Sequence, residues 1–215
     1  FLIVKPIRYI ALKTMKRLRR PDDMRAIIAA SQNLILDIAL PAVDSILQNK
    51  EFREAVKFNK LPIAEQDRIF NELMVASMCL VLNCLEVAHG IVKPESLHFW
   101  IQTHKQFPKQ MQIEFIKFGI NGANAKLLLE LIDMRLKEYA NLTQEVWNMW
   151  NEEEERFRDM PEGMKHATSR VDAISIGMAD HIMRGKTDPS NKLTPCLRKW
   201  LHPLNEKIGK FIKNL

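Results

Sequence analysis

The residues best suited to chemistry are Glu86 and His89, which form a Glu-x-x-His step in "LNCLEVAHG". On a helix, a step of three places a carboxylate and an imidazole on one face, where both can ligate a metal. Carboxylate-bridged di-metal bundles use two such steps plus carboxylates from facing helices. Further acids lie within apolar helical stretches: Asp37, Glu130, Asp133, Asp172, and Asp180 beside His181. A second Glu-x-x-His does not occur, so a carboxylate–histidine metal enzyme built on Glu86 and His89 is the weakest of three functional expectations. The plainer expectation is a polar spot at a helix end. Asp22-Asp23 has no third acid on its face, since Arg25 and Ala26 follow; helix capping accounts for the pair. The chain has no Gly-rich phosphate loop, no Gly-x-Ser-x-Gly elbow and no His-Glu-x-x-His. No catalytic residue and no cofactor is expected.

The second kind of chemistry is charge. Lys5, Arg8, Lys13, Lys16, Arg17, Arg19 and Arg20 put seven bases and no acid into residues 1–20. Arg198, Lys199, Lys207, Lys210 and Lys213, against Glu206, give residues 196–215 a net charge of +4. The whole chain is +6, which leaves residues 21–195 at −5. A mildly acidic body with two basic ends suggests anionic partners for the ends. Both ends are also amphipathic. Ile7, Ile10, Ala11, Met15 and Leu18 line the first segment; Leu197, Trp200, Leu201, Leu204, Ile208, Phe211, Ile212 and Leu215 line the last. Cationic amphipathic helices lie at anionic bilayer surfaces, where each Lys or Arg adds about 1 kcal/mol. Phe1-Leu2-Ile3-Val4 is too short to span a bilayer, but it fits the last turn of a spanning helix, with the following bases marking the cytoplasmic side. Nucleic acid is the other anionic partner. Tyr9 and Trp200 could stack on bases, but no recognition motif accompanies them.

The elements that must carry these residues read as helices. The chain has 215 residues, 47% hydrophobic and 27% charged, enough for one sizeable core. Helix formers dominate, with only seven glycines. Cys79, Cys84 and Cys196 are odd in number and show neither disulfide nor zinc spacing, which points to a reducing compartment. Apolar stripes predict helices after Asp22-Asp23, a restart at Pro41, a short helix near 52–58, and an apolar run over 64–89 ended by Gly90. The last is long enough to span a membrane, but Asn83, Glu86 and His89 share one face, which favours a central core helix. Further helices are expected from Pro94 to a break at Phe107-Pro108, through Met111–Ile116, over "AKLLLELIDMRLKEY", from a Thr143 cap through "QEVWNMWNEEEERF", over "TSRVDAISIGMADHIMRG", and from Thr194-Pro195 to the end.

The expected fold is all-α: one compact bundle of about nine or ten helices around the apolar helix at about 64–89. Residues 1–20 form a basic N-terminal segment, 21–193 the helical body and 194–215 a basic C-terminal helix. "ILQNKEFREAV" and "LNCLEVAHGIVKPESLHFWI", within residues 46–101, resemble an uncharacterised bacterial family of small helical domains behind an N-terminal membrane helix. That resemblance implies no activity; it implies only that residues 1–20 lie close to a membrane. The functional expectation is a non-enzymatic binding or scaffold module on the cytoplasmic side of an anionic membrane surface, in contact with lipid or a membrane protein. A nucleic-acid-associated or viral-type structural protein is the alternative.

Overall fold

The computed structural model describes residues 23–152, 160–188 and 190–215. The basic segment 1–20 lies outside the described residues, so the expectations for Lys5, Arg8, Lys13, Lys16, Arg17, Arg19 and Arg20 do too. Among the described residues there is no strand, and the all-α class holds. Among the described residues seven helices carry the fold: α1 (Met24–Gln48), α2 (Lys50–Ala55), α3 (Ile63–Glu86), α4 (Pro94–Lys117), α5 (Gly122–Glu152), α6 (Glu162–Met183) and α7 (Leu193–Asn214). Short 3₁₀ turns at Phe58–Lys60 and Ala88–Gly90 flank α3.

The expected nine or ten helices are therefore corrected to seven among the described residues, where three expected breaks are helix interiors. Pro108 sits inside α4. Thr143 caps nothing: its hydroxyl donates to the Tyr139 carbonyl at 2.7 Å, one turn back within α5. Pro41 lies in α1, directly after a π-helical stretch at Asn33–Ala39. That stretch has a packing cause. The buried pairs of α1 are Ala26–Ile27, Ala30–Ser31, Leu34–Ile35 and Ile38–Ala39, a repeat of four residues. In an ideal α-helix such a repeat drifts about 40° per turn. The wider i→i+5 turn takes up the excess and keeps the stripe on the core.

α3 is the centre. Every residue from Glu72 to Leu82 is buried, which explains its lack of a polar face: other helices surround it. α1 and α3 are both long and apolar enough to cross a membrane by length and composition alone, and here both pack into the core. α5 pairs most extensively with α6, α1 with α4, and α6 with α7. A Cβ on Gly177 of α6 would sit 2.7 Å from the Tyr139 ring, so glycine is what permits α5 and α6 to approach so closely. A satellite cluster of Val146, Trp150 and Ala173 extends that seam.

Helix ends are tied across the fold. Asp23 caps α1 through the Arg25 amide at 2.9 Å, as expected for the second acid of the pair. α6 ends in a Schellman motif with Arg184 in the left-handed region, φ 59°. Its last carbonyls, His181 and Ile182, each accept a 2.8 Å bond from the Arg68 guanidinium of α3.

Candidate functional site

The C-terminal helix α7 is docked, not free. Leu197, Leu201, Leu204, Ile208 and Ile212 lie in the main core, so the apolar stripe seen in sequence faces the protein. α7 runs antiparallel to the second half of α1. The Trp200 indole N–H donates to the Ala42 carbonyl at 2.8 Å, and Lys207 Nζ donates to the Asp37 carbonyl at 3.0 Å. Pro41 lacks the N–H that an α-helix would offer to Asp37 four residues back, and Lys207 takes that acceptor. Between the two helices runs an open groove of about 430 Å³. Ile38, Ala42, Ile46, Trp200 and Leu204 form its floor, and Lys199, Lys207 and Glu51 its charged rim.

The five bases of this end divide by partner. Arg198 Nε lies 2.6 Å from Oδ1 of Asp172, a buried carboxyl on α6 whose pKa burial raises despite the opposing pull of Arg198 and His202. Arg198 thus neutralises an internal acid. Lys199 is 3.5 Å from Glu51 and Lys210 is 3.2 Å from Glu206. Both are exposed pairs of small energetic weight, which water and salt loosen. Lys207 keeps two N–H groups beyond its bond to Asp37, and Lys213 is exposed near the helix end. The cations available to an outside anion are therefore Lys199, Lys207, Lys210 and Lys213.

Glu86 and His89 are both exposed. His89 Nδ1 lies 3.4 Å from the Glu86 backbone carbonyl rather than its carboxylate. Among the described residues no group of three His, Cys, Asp or Glu side chains is placed to hold a metal ion. The remaining carboxylates also have other work: Glu130 faces Lys126, Asp133 faces Lys137, and Asp180 Oδ1 accepts from the Thr187 amide.

Two polar clusters escaped the sequence reading. Arg135 of α5 reaches Glu72 of α3 through two nitrogens at 3.0 and 3.4 Å, and Glu138 at 3.1 Å; His181 Nε2 of α6 lies 2.7 Å from Glu138. Burial opposes the Arg135 charge, but Glu72 outweighs it and raises its pKa. Among the described residues the buried Tyr139 hydroxyl has no hydrogen-bond partner, and burial raises its pKa well above normal. The second cluster centres on Glu114, 3% exposed on α4. Its Oε1 accepts from Gln110 at 2.7 Å, Lys117 at 2.9 Å and Gln32 of α1 at 2.9 Å. Burial alone would raise its pKa; the three donors reverse that and lower it. Both clusters join helices, so they fix the bundle's geometry. All three cysteines are free thiols; burial pushes Cys84 up to about 11 and raises Cys79 and Cys196 as well.

Comparisons with protein-family models, with curated proteins and with solved structures find no match for this chain.

Proposed function

We propose that the chain is a non-enzymatic helical binding module that attaches to an anionic membrane surface from the cytoplasmic side through its basic ends. One observation carries this. The core takes the apolar stripe of α7 and leaves Lys199, Lys207, Lys210 and Lys213 exposed, two of them on the rim of the α1–α7 groove. A cationic face held on a rigid body contacts headgroups by charge alone, with the helix lying on the surface rather than dipping into it. Lys5, Arg8, Lys13, Lys16, Arg17, Arg19 and Arg20 supply a second and denser cationic contact.

Vesicle flotation tests it. The chain is expected to float with phosphatidylglycerol-containing vesicles and not with phosphatidylcholine alone. Lys210→Glu with Lys213→Glu lowers the bound fraction roughly tenfold at low salt, following about 1 kcal/mol per base. Replacing the seven N-terminal bases by Gln lowers it further. No flotation by the unaltered chain overturns the proposal. Equal flotation on both lipids also overturns it, since charge would then play no part. Tight binding to duplex DNA with a steep salt slope would assign the basic ends to phosphate backbones instead.

A further inference from the structure

The body is acidic on average but not throughout. From Ser96 to Leu129 the chain carries Lys105, Lys109, Lys117 and Lys126, and Glu114 is the only acid. Glu114 is buried and holds Lys117 at 2.9 Å, and Glu130, just past the stretch, pairs with Lys126 at 3.8 Å, which leaves Lys105 and Lys109 without an acid from this stretch. This third basic region is the α4–α5 hairpin. On α4 the exposed residues Ile101, Lys105, Lys109, Ile113 and Ile116 follow in steps of four and a closing step of three, which places them on one outward arc. At the tip Phe118 is 58% exposed, and at the start of α5 Leu127 is 61% exposed.

The tip is rigid. Gly119, at φ 89°, makes the left-handed turn of a Schellman motif, with the Ile120 amide bonded to the Phe115 carbonyl at 3.1 Å and Gly119 to Ile116 at 2.9 Å. Asn121 then caps α5 through the Asn124 amide at 2.8 Å. Phe118 is thus held in water by a turn capped on both sides, beside Ile116 at 48% exposure. Bulky apolar groups interleaved with Lys105 and Lys109 on one arc match the headgroup boundary of an anionic bilayer.

We infer that the α4–α5 hairpin tip is a membrane wedge: Phe118 and Ile116 enter the acyl boundary while Lys105 and Lys109 engage lipid phosphates. This rests on the membrane-surface proposal above and adds insertion to it, at a site distant in sequence from the basic ends.

The test places a reporter at the tip of the full chain. Phe118→Cys is labelled with an environment-sensitive dye while the protein is folded; the native chain, treated identically, controls for the three buried cysteines. Dye emission is expected to shift to the blue on phosphatidylglycerol vesicles, to be quenched by lipids brominated high on the acyl chain, and to stay unchanged with phosphatidylcholine. In the otherwise native chain, Ile116→Ser with Phe118→Ser lowers vesicle partitioning roughly tenfold. Lys105→Gln with Lys109→Gln lowers it by about as much. If the native chain floats while the dye stays in water and the Ser pair changes nothing, the wedge is overturned and the surface proposal survives. If the native chain does not float, both fall. A dye shift with single-stranded RNA but not with vesicles also overturns the wedge.

Discussion

α7 and α4 look alike as sequences and differ in use. Both are long cationic helices with an internal proline, Pro203 in one and Pro108 in the other. On α7 the core absorbs the apolar stripe, and Arg198, Lys199, Lys207 and Lys210 each touch an acid or a carbonyl of the protein. On α4 the core takes Trp100, Phe107, Met111 and Phe115 from one face. Ile101, Ile113 and Ile116 remain outside among lysines that no surface acid of that stretch offsets. Amphipathic charge patterning thus marks two outcomes, and the location of the acids separates them. A base opposite the buried Asp172 serves the fold first; a base on an acid-free arc is open to an outside anion.

Truncating the same kind of side chain on the two helices should give opposite results. Leu201→Ala or Ile208→Ala, each fully buried, costs about 2–5 kcal/mol in urea denaturation. Ile116→Ser or Phe118→Ser stays within about 0.5 kcal/mol, because neither leaves a cavity. A large loss at Phe118 would collapse the contrast.

The seam between α3 and α5 sets the scale for a base that serves the fold. Arg135→Met leaves Glu72 buried and unpaired, and costs about 3 kcal/mol. Adding Glu72→Met returns most of the loss, a coupling that a double-mutant cycle measures directly. Gly177→Ala, which drives a methyl into the Tyr139 ring, costs about 1–3 kcal/mol and should broaden the thermal transition.

Glu114 sharpens the comparison through pH. Its folded pKa lies below that of the unfolded chain, so its contribution is full above the ordinary carboxyl range and disappears as pH falls through the lower, folded value. Glu114→Gln should cost about 1–2 kcal/mol at pH 7, a gap that closes in acid. A gap that is constant with pH would mean that folding does not lower the Glu114 pKa. The smallest effect belongs to the α7 surface: Lys210→Ala changes stability by less than about 0.5 kcal/mol, since its pair with Glu206 is exposed.

Much of this was legible in the chain. The apolar run before Gly90 identified the central helix, and the Leu197–Leu215 stripe identified a helix with one buried face. What escaped depends on neighbours. Pro41, Pro108 and Thr143 carry stop or start signals, yet packing across each of them keeps the helix going. Arg135–Glu72 and Arg198–Asp172 join different helices, so no local pattern announces them. The acid-free stretch from Ser96 to Leu129 was present in the charge pattern, but averaging residues 21–195 to a single value concealed it.

The π-helical stretch Asn33–Ala39 has a consequence for chain length. A deletion within an α-helix rotates everything beyond it by about 100° and wrecks the packing. Here the wide turn already holds surplus backbone, so removing one residue such as Leu36 lets the segment tighten to ordinary α pitch. Ala42 would then keep close to its present heading toward Trp200. This segment is the place in α1 where the protein can lose a residue and still close the same bundle.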